Sequence, residues 1–317
     1  MRFPSPLMLL ASAGCLYIPA SALTERASAD RPAKDDSSDA DTDGDSESDA
    51  DSDTDTDTDT DTDTDTDTDV LPGFVRISAG TFQMGCTDGQ KSWCTSDETL
   101  HDVTLSTDYW IGIGEVTQLE FSSVMGYLPA TFSSCGDSCP VEALTWDEAA
   151  AYVNALTTDE GRTPCYTCTG TTWQVSCTES TRAYDCEGYR LPTEAEWEAA
   201  ARCGLDSAYA GSDTVDRVAW YADNSSAKTH AAAGKSPNTC GLFDMSGNVW
   251  EWTGDWYGEL GSGDAFDPSG PSTGTEHVLR GGSWATDATE QRVSVRWRFG
   301  AFTLSNDLGF RVALTAR

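Results

Sequence analysis

Apolar and polar positions fall into three regimes along the chain. Residues 7–19 are mostly apolar. Residues 30–69 carry almost no apolar side chains, and from Asp53 to Asp69 Asp alternates with Thr. From Val70 onward apolar residues return and continue to the C-terminus. In that third regime Val75, Ile77 and Phe82 read as strands around Gly80, with Met84 and Gly85 ending the segment, and Asp102 to Ile113 reads as another extended stretch. Three helices are announced by one device. Thr117-x-x-Glu120, Thr145-x-x-Glu148 and Thr193-x-x-Glu196 are capping boxes, in which hydroxyl and carboxylate satisfy the first free backbone donors. Gly126 stops the first helix. The second carries Ala149, Val153 and Leu156 on one face. In the third, Trp197 and Ala201 stand four apart. After Cys203 periodicity fades, and the Gly, Pro, Asn and Ser content of 233–275 predicts loops and short strands. Gly309 to Val312 reads as the final strand.

The 317 residues divide into an export signal over 1–22, an acidic linker over 23–69 and one domain over 70–317. Two readings of the N-terminus stand side by side. Ala20-Ser21-Ala22 offers a small-x-small cleavage site, whereas Ser12-Ala13-Gly14-Cys15 is similar to a lipobox, which would lipidate Cys15. Both predict an extracytoplasmic protein, a cell-envelope lipoprotein or a secreted one. A membrane contact is expected only through that anchor. The linker segment 30–69 holds 19 acidic residues against Arg31 and Lys34, half of the chain's net charge of −34. Such a segment cannot bury apolar area and reads as a solvated spacer. So acidic a chain is excluded as a nucleic-acid binder, because phosphate contacts need basic neutralisation.

All eleven tryptophans lie in the domain, which implies a substantial core. Ten cysteines remain once Cys15 is set aside. An even number in an exported domain reads as up to five disulfides. Cys86–Cys94, Cys135–Cys139 and Cys203–Cys240 are the expected pairs, with Cys165, Cys168, Cys177 and Cys186 pairing among themselves. For those four a zinc site stands as the alternative. No nucleophile elbow and no phosphate loop is present. At period two Arg292, Ser294, Arg296 and Arg298 would share one strand face. There they either pair with carboxylates or line a ligand groove.

Four blocks carry a resemblance: Gly188-Tyr-Arg-Leu-Pro-Thr-Glu-Ala-Glu-Trp-Glu198, Gly241-Leu-Phe-Asp-Met-Ser-Gly-Asn-Val-Trp-Glu-Trp252, Arg280-Gly-Gly-Ser-Trp284 and Gly309-Phe-Arg-Val312. In this order they resemble the formylglycine-generating enzyme (sulfatase-modifying factor) family over roughly residues 72–317. The resemblance implies an α+β fold of the irregular, C-type-lectin-like kind. It also implies a structural Ca²⁺ held by carbonyls of Ser246, Gly247 and Val249 with Asn248 and the Glu251 carboxylate, the hard oxygen set that Ca²⁺ takes.

Family oxidases bind Cu(I) through two cysteines after the Arg-Gly-Gly-Ser block, and soft thiolates are what Cu(I) requires. Thr286 and Gln291 stand at those positions, and residues 241–317 contain no cysteine. The expectation is therefore a domain without copper that is non-catalytic for formylglycine formation. It would bind a peptide or glycan in a groove near Ser283, Trp284, Arg296 and Trp297. The alternative is an oxidoreductase of the family, acting on a protein or a siderophore, with a different metal site.

Overall fold

Three capping boxes set the helices. Thr117, Thr145 and Thr193 each accept from a backbone N–H three residues on, and Glu120, Glu148 and Glu196 each reach back to the cap. They start α1 (Gln118–Met125), α2 (Trp146–Asp159) and α3 (Glu194–Arg202). Gly126 ends α1 in the left-handed conformation, at φ 74°. One further short helix, α4, spans Val215–Val218. The computed structural model describes residues 70–90 and 93–316. The export segment, Cys15 and the acidic linker lie outside the described residues. No described helix is long and apolar enough to cross a membrane.

The strands form irregular open sheets. β1 (Phe74–Ile77) pairs with β4 (Tyr109–Gly112), which pairs with β13 (Ala313–Thr315), which pairs with β7 (Tyr189–Arg190), all antiparallel. A second four-stranded sheet runs β11 (Trp297–Phe299), β10 (His277–Arg280), β8 (Trp250–Trp256), β12 (Leu308–Phe310), with β12 parallel to β8. β2 (Gly80–Met84) and β3 (His101–Leu105) make a hairpin, extended by β9 (Ala265–Phe266). β5 (Tyr166–Thr169) and β6 (Ser176–Glu179) form a small hairpin. The class is α+β, as expected.

Two expectations need correcting. β8 is a seven-residue strand at the centre of its sheet, inside the stretch read as loops and short strands. It is buried along most of its length, so it has no alternating pattern for a sequence reading to find. The final strand is split. Arg311 leaves the ladder between β12 and β13 and turns its guanidinium onto Glu251, 2.5 and 2.6 Å away.

Five disulfides staple these pieces: Cys86–Cys94, Cys135–Cys139, Cys165–Cys186, Cys168–Cys177 and Cys203–Cys240. The group of four is thus two disulfides and not a zinc site. Disulfides at this density persist in oxidising compartments, so the domain is extracytoplasmic.

Helix α3 organises the interior by charge as well as by apolar packing. Trp197, Ala200 and Ala201 are fully buried in the main core. Glu194, Glu196 and Glu198 are buried too, and each meets an arginine from another part of the chain or from the helix end. Arg296 and Arg280 take Glu194, Arg190 takes Glu196, and Arg202 and Arg280 take Glu198. Breaking one such buried pair leaves a charge in low dielectric and costs about 3–5 kcal/mol. These pairs therefore fix which strand ends lie against α3.

Candidate redox and metal site

The connection between β2 and β3 carries the cluster with the clearest chemistry. Sγ of Cys86, Sγ of Cys94 and a carboxylate oxygen of Glu98 lie within 4.8 Å of one another. Cys86 is half-buried, Cys94 exposed and Glu98 buried. Register places them: Met84 faces His101 at the end of the hairpin, and the Cys86 N–H donates to the Glu98 carbonyl at 2.8 Å. Gly85 makes the turn possible. Its φ is +99°, and a Cβ there would stand 2.4 Å from the Thr99 carbonyl oxygen.

The loop is clamped from both sides. At its root the Gly85 N–H donates to Glu198, and the Gly85 carbonyl accepts from Arg202 at 2.6 Å. On its far side Arg292 grips Glu98 with both guanidinium prongs, at 2.7 and 3.0 Å, and donates to the Trp93 carbonyl. The Ser294 hydroxyl donates to Glu98 and to the buried Gln90. Burial pushes the Glu98 carboxyl up. The bonds from Arg292 and Ser294 outweigh that and hold it below the usual carboxylate range.

In the structure Cys86 and Cys94 are joined as a disulfide. Reduced, the pair offers two soft thiolates, the donor type that selects Cu(I). Glu98, already charged and bound by Arg292, adds a hard oxygen at the same place. The residues present fit a thiophilic ion once the disulfide opens, and they fit reversible dithiol–disulfide chemistry as they stand.

This overturns two expectations. Thr286 and Gln291 do meet, Gln291 Nε2 donating to the Thr286 hydroxyl at 2.7 Å. The conclusion drawn from them, a domain without the family's cysteine pair and without copper, fails because Cys86 and Cys94 supply such a pair beside Glu98. With it goes the reading of a purely non-catalytic binder. The calcium reading finds no support in the side chains expected to hold the ion. Both oxygens of Glu251 are engaged by Arg311, and one also accepts from Trp197 Nε1 at 2.7 Å. The Asn248 side chain is spent on Glu115 and the His230 backbone, and the Ser246 hydroxyl bonds Ala210 and Gln291. Gly247 and Val249 donate their N–H groups to Gly281 and to Glu115.

The four groove residues fall into two neighbourhoods. Ser283 is buried and donates to Asp307, while Trp284 packs edge-on against Phe132 and donates to the Asn306 carbonyl. Arg296 is buried against Glu194 and Tyr257, and Trp297 is 48% exposed on the edge strand β11. The supposed basic strip is a set of ion pairs: Arg292 with Glu98, Arg296 with Glu194, and Arg298 with Glu276.

Sequence reasoning took Cys86 and Cys94 for a structural pair only and passed over Glu98. The usable signal was the short Cys86…Cys94…Glu98 spacing inside a single strand connection. What made Glu98 special, its arginine, comes from 194 positions away.

Comparison with known proteins bears on this cluster. The model of the sulfatase-modifying factor enzyme 1-like domain matches residues 59–316. A chaperone protein, LppX, of Paenibacillus barcinonensis is 34% identical over 253 residues, covering 69% of this chain and 84% of that protein. The formylglycine-generating enzyme of Streptomyces coelicolor is 36% identical over 159 residues, 44% of this chain, and the match spans 51% of that enzyme. Among solved structures, Treponema denticola variable protein 1 superposes with a TM-score of 0.70 at 34% identity, over 77% of this chain and 95% of that one.

Proposed function

The chain belongs to the sulfatase-modifying factor enzyme 1-like family, and on that premise we propose that it is an exported oxidoreductase whose working centre is Cys86, Cys94 and Glu98. One observation carries the reading: two sulfurs and a carboxylate within 4.8 Å, in a chain similar to a formylglycine-generating enzyme. The substrate class is a thiol-bearing protein segment or small molecule.

The reaction balances as follows. Two substrate thiols become a disulfide, and the Cys86–Cys94 bond opens to two thiols that receive the two electrons and two protons. Dioxygen, as terminal acceptor, takes them back as hydrogen peroxide and restores the disulfide. Copper held by Cys86 and Cys94 in the reduced form would supply the one-electron chemistry that dioxygen requires. Exposed Cys94 is the sulfur a substrate thiolate reaches first. Arg292 keeps Glu98 ionised, so in the re-oxidation half Glu98 can accept the proton that the Cys86 or Cys94 thiol gives up as it becomes a thiolate. A cleft of about 520 Å³ lies beside the loop, lined by Met84, His101, Glu194, Asp255 and Arg296. Arg296, in the cleft wall, donates to the Asp97 carbonyl and so ties the cleft to the segment that carries Glu98.

Two finer readings belong to the same proposal. The C-type-lectin-like arrangement is supported by β1 and β13, the first and last strands, flanking β4 in one sheet. Tethering through a lipid on Cys15 is supported by Ser12-Ala13-Gly14-Cys15, and intact-mass analysis of the mature protein checks it.

The test is anaerobic reduction, titration with Cu(I), and then exposure to dioxygen with a dithiol peptide. Retention of one copper and catalytic peptide oxidation, both lost in Cys94→Ser, are expected. Copper retention and turnover unchanged from the parent in Cys86→Ser and Cys94→Ser would overturn the assignment.

A further inference from the structure

We propose a saccharide-binding subsite on a different face, formed around Trp173 at the mouth of a cavity of about 350 Å³. It uses none of the cysteine centre.

The first observation is a large apolar ring that the fold holds outside. Trp173 is 69% exposed. It is carried by the loop between β5 and β6, which the Cys168–Cys177 disulfide closes. Thr172, just before it, has φ 51°. For a β-branched residue that is a strained backbone, which persists only where the surroundings impose it and which clusters at ligand sites. The loop is folded tightly on itself: a Cβ on Gly170 would stand 2.2 Å from the Gln174 carbonyl oxygen. Beneath, Tyr127 packs against Trp173 with ring centroids 5.1 Å apart. The Tyr127 hydroxyl is fixed by a 2.7 Å bond to Glu148. A disulfide, a strained residue and an anchored tyrosine thus hold one indole face to solvent.

The second observation is what surrounds it. The cavity beside Trp173 is walled by Thr131, Thr145, Glu148, Ser305, Asn306 and the exposed Leu304. Its volume is at the lower end of the ~300–1,000 Å³ range of small-molecule sites and suits a sugar unit or short oligosaccharide. The wall mixes apolar surface with hydrogen-bonding groups, and Glu148 is its one carboxylate. Glu148 is already spent on Tyr127 and on the Thr145 cap. The side-chain amide of Asn306 makes no hydrogen bond among the described residues, leaving its donors and acceptor to a ligand. A flat aromatic face that receives C–H groups, next to uncharged hydrogen-bonding groups, is the chemistry that recognises a pyranose. An anionic ligand would find no counter-charge here.

The test uses the folded domain with cellotetraose, chitotetraose and mannotetraose as probes, read by saturation transfer from protein to sugar and by calorimetry. At least one probe is expected to bind. Trp173→Ala should weaken it at least tenfold, Trp173→Tyr should retain most of it, and Cys94→Ser should leave it unchanged. Trp173 is exposed, so these variants fold. Failure of all three sugars to bind, or binding indifferent to Trp173→Ala, would overturn the subsite. Selective binding of a proline-rich peptide at Trp173 in place of the sugars would overturn its assignment to saccharide. None of these outcomes bears on the cysteine centre, whose copper and turnover are measured separately.

Discussion

Arg292 and Glu98 meet in a two-pronged ion pair, at 2.7 and 3.0 Å, that ties the cysteine-bearing hairpin loop to the C-terminal part of the domain. Both side chains are buried. Replacing Arg292 by Leu strands a carboxylate in low dielectric, so stability should fall by about 3–5 kcal/mol, read by urea denaturation. Arg292→Leu with Glu98→Gln should recover a large part of that loss, because the stranded charge is gone. The sign with pH follows from the lowered Glu98 carboxyl. The unfolded chain binds the proton more readily, so this pair's contribution is present above the unfolded value near 4.5 and is lost on acidification through the lower folded value. The Arg292→Leu variant should lack that acid-side loss.

Gly85 is where the loop leaves β2, and its backbone conformation admits no ordinary side chain. Gly85→Ala places a methyl 2.4 Å from the Thr99 carbonyl at φ +99°. Backbone strain of this kind costs about 1–3 kcal/mol, and relieving it must shift the strand that leads into Cys86. The expected outcome is a modest loss of thermal stability together with weaker copper retention by the reduced protein. Unchanged copper retention at lowered stability would separate the loop's geometry from the metal site.

Much of the fold can be read directly from the residues. The capping boxes at Thr117, Thr145 and Thr193 mark the helix starts because capping is a local interaction, written within four residues. The short-range cysteine pairs are equally local. β8 escaped because a strand buried on both faces has no alternation. The site escaped for a different reason. Cys86 and Cys94 are only eight residues apart, but Glu98 is set apart by Arg292 and Ser294, and Gly85 by Glu198 and Arg202. Partners more than a hundred positions distant are fixed by tertiary packing alone. The partner of Arg296, Glu194 on α3, was hidden on the same ground.

Asp244 and Glu115 predict a stability that falls as pH rises through the weakly acidic range. Burial, with the neighbouring Glu251, lifts the Asp244 carboxyl from 3.8 to about 6, against a bond from the Ala233 N–H and the pull of Arg311. Burial lifts Glu115 further in the same direction. For Asp244 the folded state then binds more protons than the unfolded chain between about 4 and 6, so its contribution declines with pH across that window and levels off above it, while Glu115 adds a decline of the same sign. For Asp244 the decline is on the order of 2–3 kcal/mol, at about 1.4 kcal/mol per pKa unit. Asp244→Asn keeps the shape, and Asn tolerates the φ of 54° found there. It should be more stable than the parent at pH 7.5 and equal or less stable at pH 4, by chemical denaturation at each pH.

His277 pulls the same window the other way. Its ring is sandwiched between Trp146 and Trp256, with centroids 4.0 and 3.7 Å away. Nδ1 bonds the Asp255 carbonyl, and Nε2 is buried without a partner. Burial lowers the imidazole from 6.5 to about 4, against the backbone bonds that favour the cation. Here the unfolded chain binds the proton more readily between about 4 and 6.5, so stability rises with pH over that range and is lost on acidification. The parent protein should therefore show a shallow net profile near pH 5, with Asp244 and His277 opposing each other. His277→Phe keeps an aromatic ring in the stack and removes the titration. Its stability at pH 7.5 should drop by about 0.5–1.5 kcal/mol for the lost hydrogen bond. Between pH 6.5 and 4.5 it should gain stability steadily on acidification, because only the carboxyl effect remains. A His277→Phe profile parallel to the parent's would show that the imidazole titrates in the fold as it does in the unfolded chain, contrary to the stacked and buried geometry.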